Sequence, residues 1–382
     1  MLCTTALAQV PRIGVVTMAP GEDYWARFGH NAILVDDPAA GTRTLYNYGY
    51  FDFEQPGFLT RFLRGRMLYE LAALPMEQDL RGYEIDGRGV ILQWLDVTPE
   101  QAFALRDFLV WNALPENKDY HYDYFLQNCS TKVRDALDDA LGGTLKRQWQ
   151  GRSHGFTYRS EALRLSSTLP WLYLGIHLGL GPFVDRPMTW WDEGYVPGRL
   201  ADALREAKTA DGGPLVVQEL QLLPQRIALP PSSPPDWRWR FAFAGLGLAL
   251  LFGLALHPRA PRAARVAGAS AIGVLWLGFG LVGLGLLALW IATDHSAAWQ
   301  NENALLFNPL CLLLLAAVPA LARGDAPSRW LARFALAVAA CACFAFFFKF
   351  LPFRIQSTGD WIALLLPLHL VLALRLRPAR RA

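Results

Sequence analysis

The feature that most limits what this chain can fold into is an abrupt change of composition after the Pro/Ser-rich stretch 230–236, PPSSPPD. Before it, apolar residues are interleaved with charges. After it they come in five runs, 241–256, 266–292, 304–321, 334–351 and 361–374. A helix needs about 20 apolar residues to cross roughly 30 Å of hydrocarbon, so each run is near the length of a membrane span, and the first and last are short enough to tilt or lie at the interface. The hydrophobic fraction of 53% and mean hydropathy of +0.19 are too apolar for an ordinary soluble protein of 382 residues, which fits the same reading. The expected organisation is a soluble region over 10–229, a linker over 230–240 and an all-α bundle of about five transmembrane helices over 241–382.

The connections between the runs alternate in charge. The first carries Arg259, Arg262 and Arg265, the second no Lys or Arg, and the third Arg323, Arg329 and Arg333. The fourth is mixed, with Lys349 and Arg354, and the C-terminal tail is strongly basic. The positive-inside rule puts the first loop, the third loop and the C-terminus in the cytoplasm, and five crossings then leave the soluble region outside. Residues 1–9 point the same way independently. Ala6-Leu7-Ala8 has the small-x-small form of a signal-peptide cleavage site, so 1–9 read as the remnant of an export signal, the bland alternative being an ordinary N-terminus. The second loop is polar at a membrane boundary: Asp294, His295, Asn301, Glu302 and Asn303, with Asn308 inside the third run. Polar groups at membrane depth are costly and often functional. A solvated loop explains Asp294 and Glu302 easily and Asn308 less well.

In the soluble region, 30–35 and 42–50 read as strands joined by the turn 36–41, and 89–97 as a further strand. Residues 58–69 look like a basic amphipathic helix carrying Arg61, Arg64 and Arg66. Thr98 is a natural N-cap, Pro99 sits at the first helical position and Gln101 completes a capping box. A last helix is expected from Cys129 to Leu141. The pattern is α+β.

Of five cysteines, Cys3 falls in the signal remnant and Cys311, Cys341 and Cys343 in apolar runs, so Cys129 has no soluble-region partner for a disulfide. At a helix N-terminus the dipole lowers a thiol's pKa and favours the nucleophilic thiolate. Asn128, Ser130 and Thr131 surround it with polar groups suited to an oxyanion. A buried structural cysteine is the commoner fate of a lone Cys, but here the neighbours are polar and the domain is exported. A base is needed, and His30, His121, His154 and His177 are the choices; spacing alone ranks His30 and His121 nearly equal. No metal-ligand spacing, Gly-rich phosphate loop or nucleic-acid motif is present, so no metal, cofactor or nucleic-acid partner is expected.

Three segments carry a resemblance: 25–31 (WARFGHN), 46–53 (YNYGYFDF) and 115–131 (PENKDYHYDYFLQNCST). Together they resemble the bacterial family whose shared unit is the Lnb N-terminal periplasmic domain. The likeness extends over most of 20–200, including Asp185 to Thr189 and Tyr195 to Pro197. His295, Asn301, Asn303 and the Phe307-Asn308-Pro309 step are similar to the family's membrane pattern. The resemblance implies a circularly permuted papain-like (NlpC-related) thiol domain with His before Cys in the chain. It implies Cys129 as nucleophile, His30 as base, Asn47 as the group orienting His30 with Asp52 as its rival, and Asn128 or the Cys129 N–H at the oxyanion. A plain strand residue satisfying a turn is an equally simple account of Asn47.

The activity so implied is acyl transfer within a diacylglyceryl-modified lipoprotein. The chain would pass through a Cys129 thioester to the N-terminal cysteine amine and leave a lyso-form lipoprotein. The partners are then bacterial lipoproteins and membrane lipid, at the bacterial inner membrane with the C-terminus in the cytoplasm. Arg61, Arg64 and Arg66 would meet lipid phosphates, although a solvated helix face explains them as well. His295, Asn301, Asn303 and Asn308, with Asp52, are further candidates for substrate binding. Two other classes use the same residues or none of them. A cysteine peptidase or amidase on peptidoglycan needs the Cys/His pair but not five spans, and a non-catalytic assembly module needs neither Cys129 nor His30. Oligomeric state leaves no trace in the sequence.

Overall fold

The computed structural model describes residues 9–377. All of the expected signal remnant except Gln9, and the end of the basic tail, 378–382, lie outside the described residues.

The chain divides into two compact units. The first runs to Leu174 and resumes over Pro187–Pro234. It is built on one seven-stranded sheet: β1 Arg12–Met18, β2 His30–Asp37, β3 Thr42–Tyr50, β4 Leu68–Pro75, β5 Val90–Leu95, β6 Asp119–His121 and β7 Val216–Leu223. The order is β6-β4-β3-β2-β1-β5-β7 and every pairing is antiparallel. Side chains alternate between faces along a strand, and both faces are covered here. Ile13, Val15, Ile33, Val35, Tyr46, Tyr48 and Leu71 pack with Val133, Ala136 and Leu137 of the helix Cys129–Ala140. Val16, Met18, Ala32, Leu34, Leu45, Leu92 and Trp94 face the other way, onto Met76, which opens the helix Met76–Ile85. Two-sided burial explains why β2 is apolar without alternation.

The expected helix over 58–69 is shorter. It spans Phe58–Arg64 and stops at Gly65, whose φ of 73° is left-handed, and the chain then enters β4. The Thr98 capping box forms as read, with Gln101 N–H donating to Thr98 Oγ1 at 3.3 Å.

The second unit comprises Gly175–Arg186 together with the chain from Pro235 onward. The segment 175–186, which the sequence reading left in the soluble region, packs with the apolar helices. Among the described residues three helices are long and apolar enough to cross a membrane, Arg238–Ala255, Arg262–Ala292 and Arg329–Phe350. The other two expected spans differ from the expectation. The third run is broken into short pieces, Glu302–Leu305, Cys311–Leu314, Leu315–Ala317 and Val318–Arg323. Pro309 and Pro319 each lack a backbone donor, and Asn308 Oδ1 accepts the Leu310 N–H at 3.0 Å, so the chain cannot run there as one regular helix. The fifth, Gly359–Arg375, is short and carries Pro367 inside it.

Candidate active site

Cys129 opens its helix because Asn128 caps it. The Asn128 carboxamide oxygen accepts the Thr131 N–H at 2.9 Å, and Thr131 Oγ1 accepts the Asn128 N–H at 2.8 Å. Asn128 Nδ2 donates to the carbonyls of Tyr124 at 3.0 Å and Tyr195 at 2.9 Å. Its side chain is therefore fully engaged in structure, and of the two oxyanion donors read from the sequence only the Cys129 N–H remains uncommitted by this network. Ser130 turns inward. Its hydroxyl lies 2.8 Å from Asn31 Oδ1 and 2.6 Å from the Gly194 carbonyl, and Asn31 Nδ2 donates to Thr17 Oγ1 at 2.7 Å. Asn31 follows His30 in β2, so these bonds fasten the helix that Cys129 opens to the strand that carries His30.

His30 Nε2 lies 3.0 Å from Asn47 Oδ1. Asn47 Nδ2 donates to the Leu45 carbonyl at 3.3 Å and to Asp79 Oδ2 at 3.1 Å. With both amide hydrogens directed there, the carboxamide oxygen faces His30, which assigns the ring proton to Nε2 and leaves Nδ1 as the acceptor. The line is His30, Asn47, Asp79. Asp79 sits in the first turn of the helix Met76–Ile85 and was not singled out from sequence, because a carboxylate 32 residues beyond Asn47 carries no local signature. Asp52 does not take the orienting place: it is exposed in the turn after β3 and accepts the Glu54 N–H at 2.8 Å.

Electrostatics at the pair run against one expectation. Desolvation pushes the Cys129 thiol up to about 11, outweighing the N–H groups of Asn31, Ser130 and Cys129 and the charge of Arg88, which favour the thiolate. Desolvation likewise takes His30 down to about 4, against the Asn47 hydrogen bond and with the Arg88 charge acting in the same downward sense. The helix terminus thus does not produce a resting thiolate. At neutral pH the pair is thiol and neutral imidazole, with Nδ1 unprotonated. Arg88, buried and donating from Nε to the Ala19 carbonyl at 2.8 Å, is a second participant the sequence did not reveal. Gly49 is a third: its φ is +92°, and a Cβ there would stand 3.3 Å from Cys129 Cβ.

Residues 4–160 match the family model of the Lnb N-terminal periplasmic domain, and residues 264–380 match that of the Lnb transmembrane domain. The chain belongs to the Lnb family. The first match contains Cys129, His30, Asn47 and Asp79. No curated protein and no solved structure matches the chain. Family membership makes this a membrane protein of lipoprotein processing whose N-terminal Lnb domain is extracytoplasmic.

The other candidate residues of the Lnb domain lie elsewhere. His121 is exposed on β6, and His154 Nδ1 is 2.6 Å from Glu193 Oε2 with its ring stacked on Trp190. Arg61, Arg64 and Arg66 are exposed at the helix Phe58–Arg64, none of whose residues is buried; Leu59 and Leu63 are 66% and 59% exposed. From this helix a run of ring contacts leads inward, Phe62 to Phe58, Phe58 to Phe51, Phe51 to Tyr69, and Tyr69 to Tyr122 at 4.2 Å. Tyr122 is near enough to Cys129 for a thiolate there to raise its phenol.

In the Lnb transmembrane unit the polar residues read as substrate ligands are largely internal fasteners. Asn301 and Asn303 both donate to the Leu178 carbonyl, at 2.8 and 2.9 Å. Gln356 donates to Asn301 Oδ1 at 2.7 Å and to the Leu180 carbonyl at 3.2 Å. Glu302 is buried with Lys349 Nζ at 2.7 Å, rather than solvated, and Asn308 caps the next turn. His295 lies at the start of a short 3-10 turn, Ser296–Ala298. His177, also in this unit, is 3.2 Å from Asp360 Oδ2.

Proposed function

We propose that the chain is a membrane-bound thiol acyltransferase that N-acylates lipoproteins through a Cys129 thioester. The observation that carries this is the line Asp79, Asn47, His30, which leaves His30 Nδ1 as a base while Asn31 N–H reaches the Cys129 thiol. As Sγ attacks an ester carbonyl of the diacylglyceryl group, Nδ1 takes the thiol proton, and the leaving alcohol takes that proton as the ester C–O bond breaks. The α-amine of the lipoprotein's N-terminal cysteine then attacks the thioester, His30 accepts its proton, and Cys129 is released as a thiol with the acyl chain now in an amide. A neutral resting pair suits this cycle, since no ion pair has to be desolvated when an acyl chain covers the site.

Two further features support a lipid substrate. Arg61, Arg64 and Arg66 fit phosphate groups, and the exposed Leu59, Phe62 and Leu63 beside them fit acyl chains. The aromatic run from Phe62 to Tyr122 offers an apolar path towards the thiol. The chain order of His30 before Cys129, with the cysteine opening a helix packed on an antiparallel sheet, supports the permuted papain-like relationship.

The test is to express wild type, Cys129→Ser and His30→Ala in a strain lacking other lipoprotein N-acylation, and to analyse a lipoprotein N-terminus by mass spectrometry. Wild type should give the N-acylated cysteine, Cys129→Ser none, and His30→Ala a rate lower by about 10²- to 10⁴-fold. Unmodified diacylglyceryl-cysteine in the wild-type strain would sink the proposal.

A further inference from the structure

An acyl transfer through Cys129 needs donors for the oxygen that becomes negative in the tetrahedral intermediate. With Asn128 spent as a cap, the Cys129 N–H alone is left from the residues read in sequence. A second donor stands across from it. Tyr120, in β6, has a buried hydroxyl whose proton has no acceptor among the described residues, while the Gly49 N–H approaches its oxygen. Buried hydroxyls are almost always paired, and an exception in a folded site calls for a use. The ring is held by packing: it meets Tyr48 edge-on at 6.0 Å, and Lys132 Nζ lies 5.1 Å from its centroid.

Gly49 shows where the hydroxyl and the Cys129 N–H meet. A Cβ on residue 49 would stand 3.3 Å from Cys129 Cβ and 3.8 Å from both Cys129 N and Tyr120 Oη. That point is kept open because residue 49 is glycine at a φ of +92°, where a side chain would be strained and would crowd the nucleophile. An oxygen there needs to shift by only about 1 Å to come within hydrogen-bond distance of a donor. We infer that the Tyr120 hydroxyl and the Cys129 N–H form the oxyanion hole, in the space left by the missing side chain of Gly49. This deepens the acyl-transfer reading and rests on it only for the attack of Cys129 on a carbonyl. In that step the S–C bond forms, the carbonyl π pair moves onto oxygen, the thiol proton goes to His30 Nδ1, and Tyr120 donates a hydrogen bond while keeping its proton. Burial holds the phenol well above its usual pKa, with the charge of Cys129 adding to the effect, so the donor stays protonated throughout.

The test pairs two reactions of the same thiol in the full-length protein. Acylation by p-nitrophenyl hexanoate passes through an oxyanion, and alkylation by iodoacetamide does not. Tyr120→Phe keeps the ring and removes only the donor. It should slow Cys129 acylation about 100-fold, with half-saturating ester concentration little changed, and leave alkylation within about threefold of wild type. An acylation loss smaller than about tenfold overturns the inference, as does a parallel loss of both reactions, which marks a structural role. A wild-type thiol that takes iodoacetamide but no ester also overturns it. Wild-type acylation by the ester without lipoprotein N-acylation in cells defeats the acyltransferase reading and leaves the oxyanion hole standing.

Discussion

Cys129 and His30 are both half-buried, close enough to solvent for substrate yet crowded enough that neither carries a charge at neutral pH. The pair was legible in sequence because it lies in dense polar and aromatic motifs. Its protonation state was not. The helix-dipole argument was sound in sign, and so are the three N–H groups around the sulfur, but desolvation is a tertiary quantity and here it is the larger effect. Asp79 and Arg88 were invisible for a related reason: each reaches the site from an element that only the sheet brings near. The pH dependence of alkylation follows from the raised thiol. The thiolate fraction grows with pH until about 11, so the iodoacetamide rate at Cys129 should climb about tenfold per pH unit from 7 to 10. A resting ion pair would instead give a plateau beginning in the acid range, and a flat profile across pH 7–10 rules out the neutral pair.

At the scale of elements, local chemistry was read well and long-range pairing was not. The Thr98 box and the helix start at Cys129 depend on residues three apart, and both formed where the sequence put them. β1 lies between β2 and β5 in the sheet and was not singled out, because a short apolar run has no periodicity to distinguish it once both faces are buried. The basic stripe that predicts a helix over 58–69 continues to Arg66, beyond the left-handed Gly65 that stops the helix. Asn128 shows what a cap at a functional helix costs to replace. Asn128→Ala removes the acceptor of the Thr131 N–H, about 1 kcal/mol, and takes the Asn128 donor from the buried Tyr195 carbonyl at about 1–3 kcal/mol. Non-additivity and water make a total loss of roughly 2–4 kcal/mol the expectation, seen as a lower melting temperature in detergent. Asn128→Ser restores only the cap acceptor and should recover about 1 kcal/mol of it. Equal melting temperatures for the alanine variant and wild type would show that the cap does not hold this helix.

For the molecule as a whole, hydropathy and helix length disagree about how often the chain crosses the membrane, and packing within the second unit bears on the choice. Counted by length, among the described residues only Arg238–Ala255, Arg262–Ala292 and Arg329–Phe350 qualify. The piece Cys311–Arg323 would reach roughly 20 Å at 1.5 Å per residue, short of the hydrocarbon thickness. Yet glycines on Arg262–Ala292 record what lies against it: Gly283 meets the Phe307 carbonyl, Gly280 the Leu312 side chain and Gly273 the Val318 side chain. One index falls as the other rises, so the broken segment runs antiparallel alongside Arg262–Ala292, with small residues allowing the close approach. On Arg238–Ala255, Gly245 meets Ala363 and Gly253 meets Val371, so Gly359–Arg375 runs parallel to Arg238–Ala255. We propose on these directions that the chain crosses five times, which would put the arginines at 323, 329 and 333 on the cytoplasmic side. In a Cys129→Ser background, Ala326→Cys should resist a membrane-impermeant maleimide in intact spheroplasts and react once they are opened. Ser357→Cys should react in both. Three crossings reverse both results, because 326 would then lie outside and 357 inside.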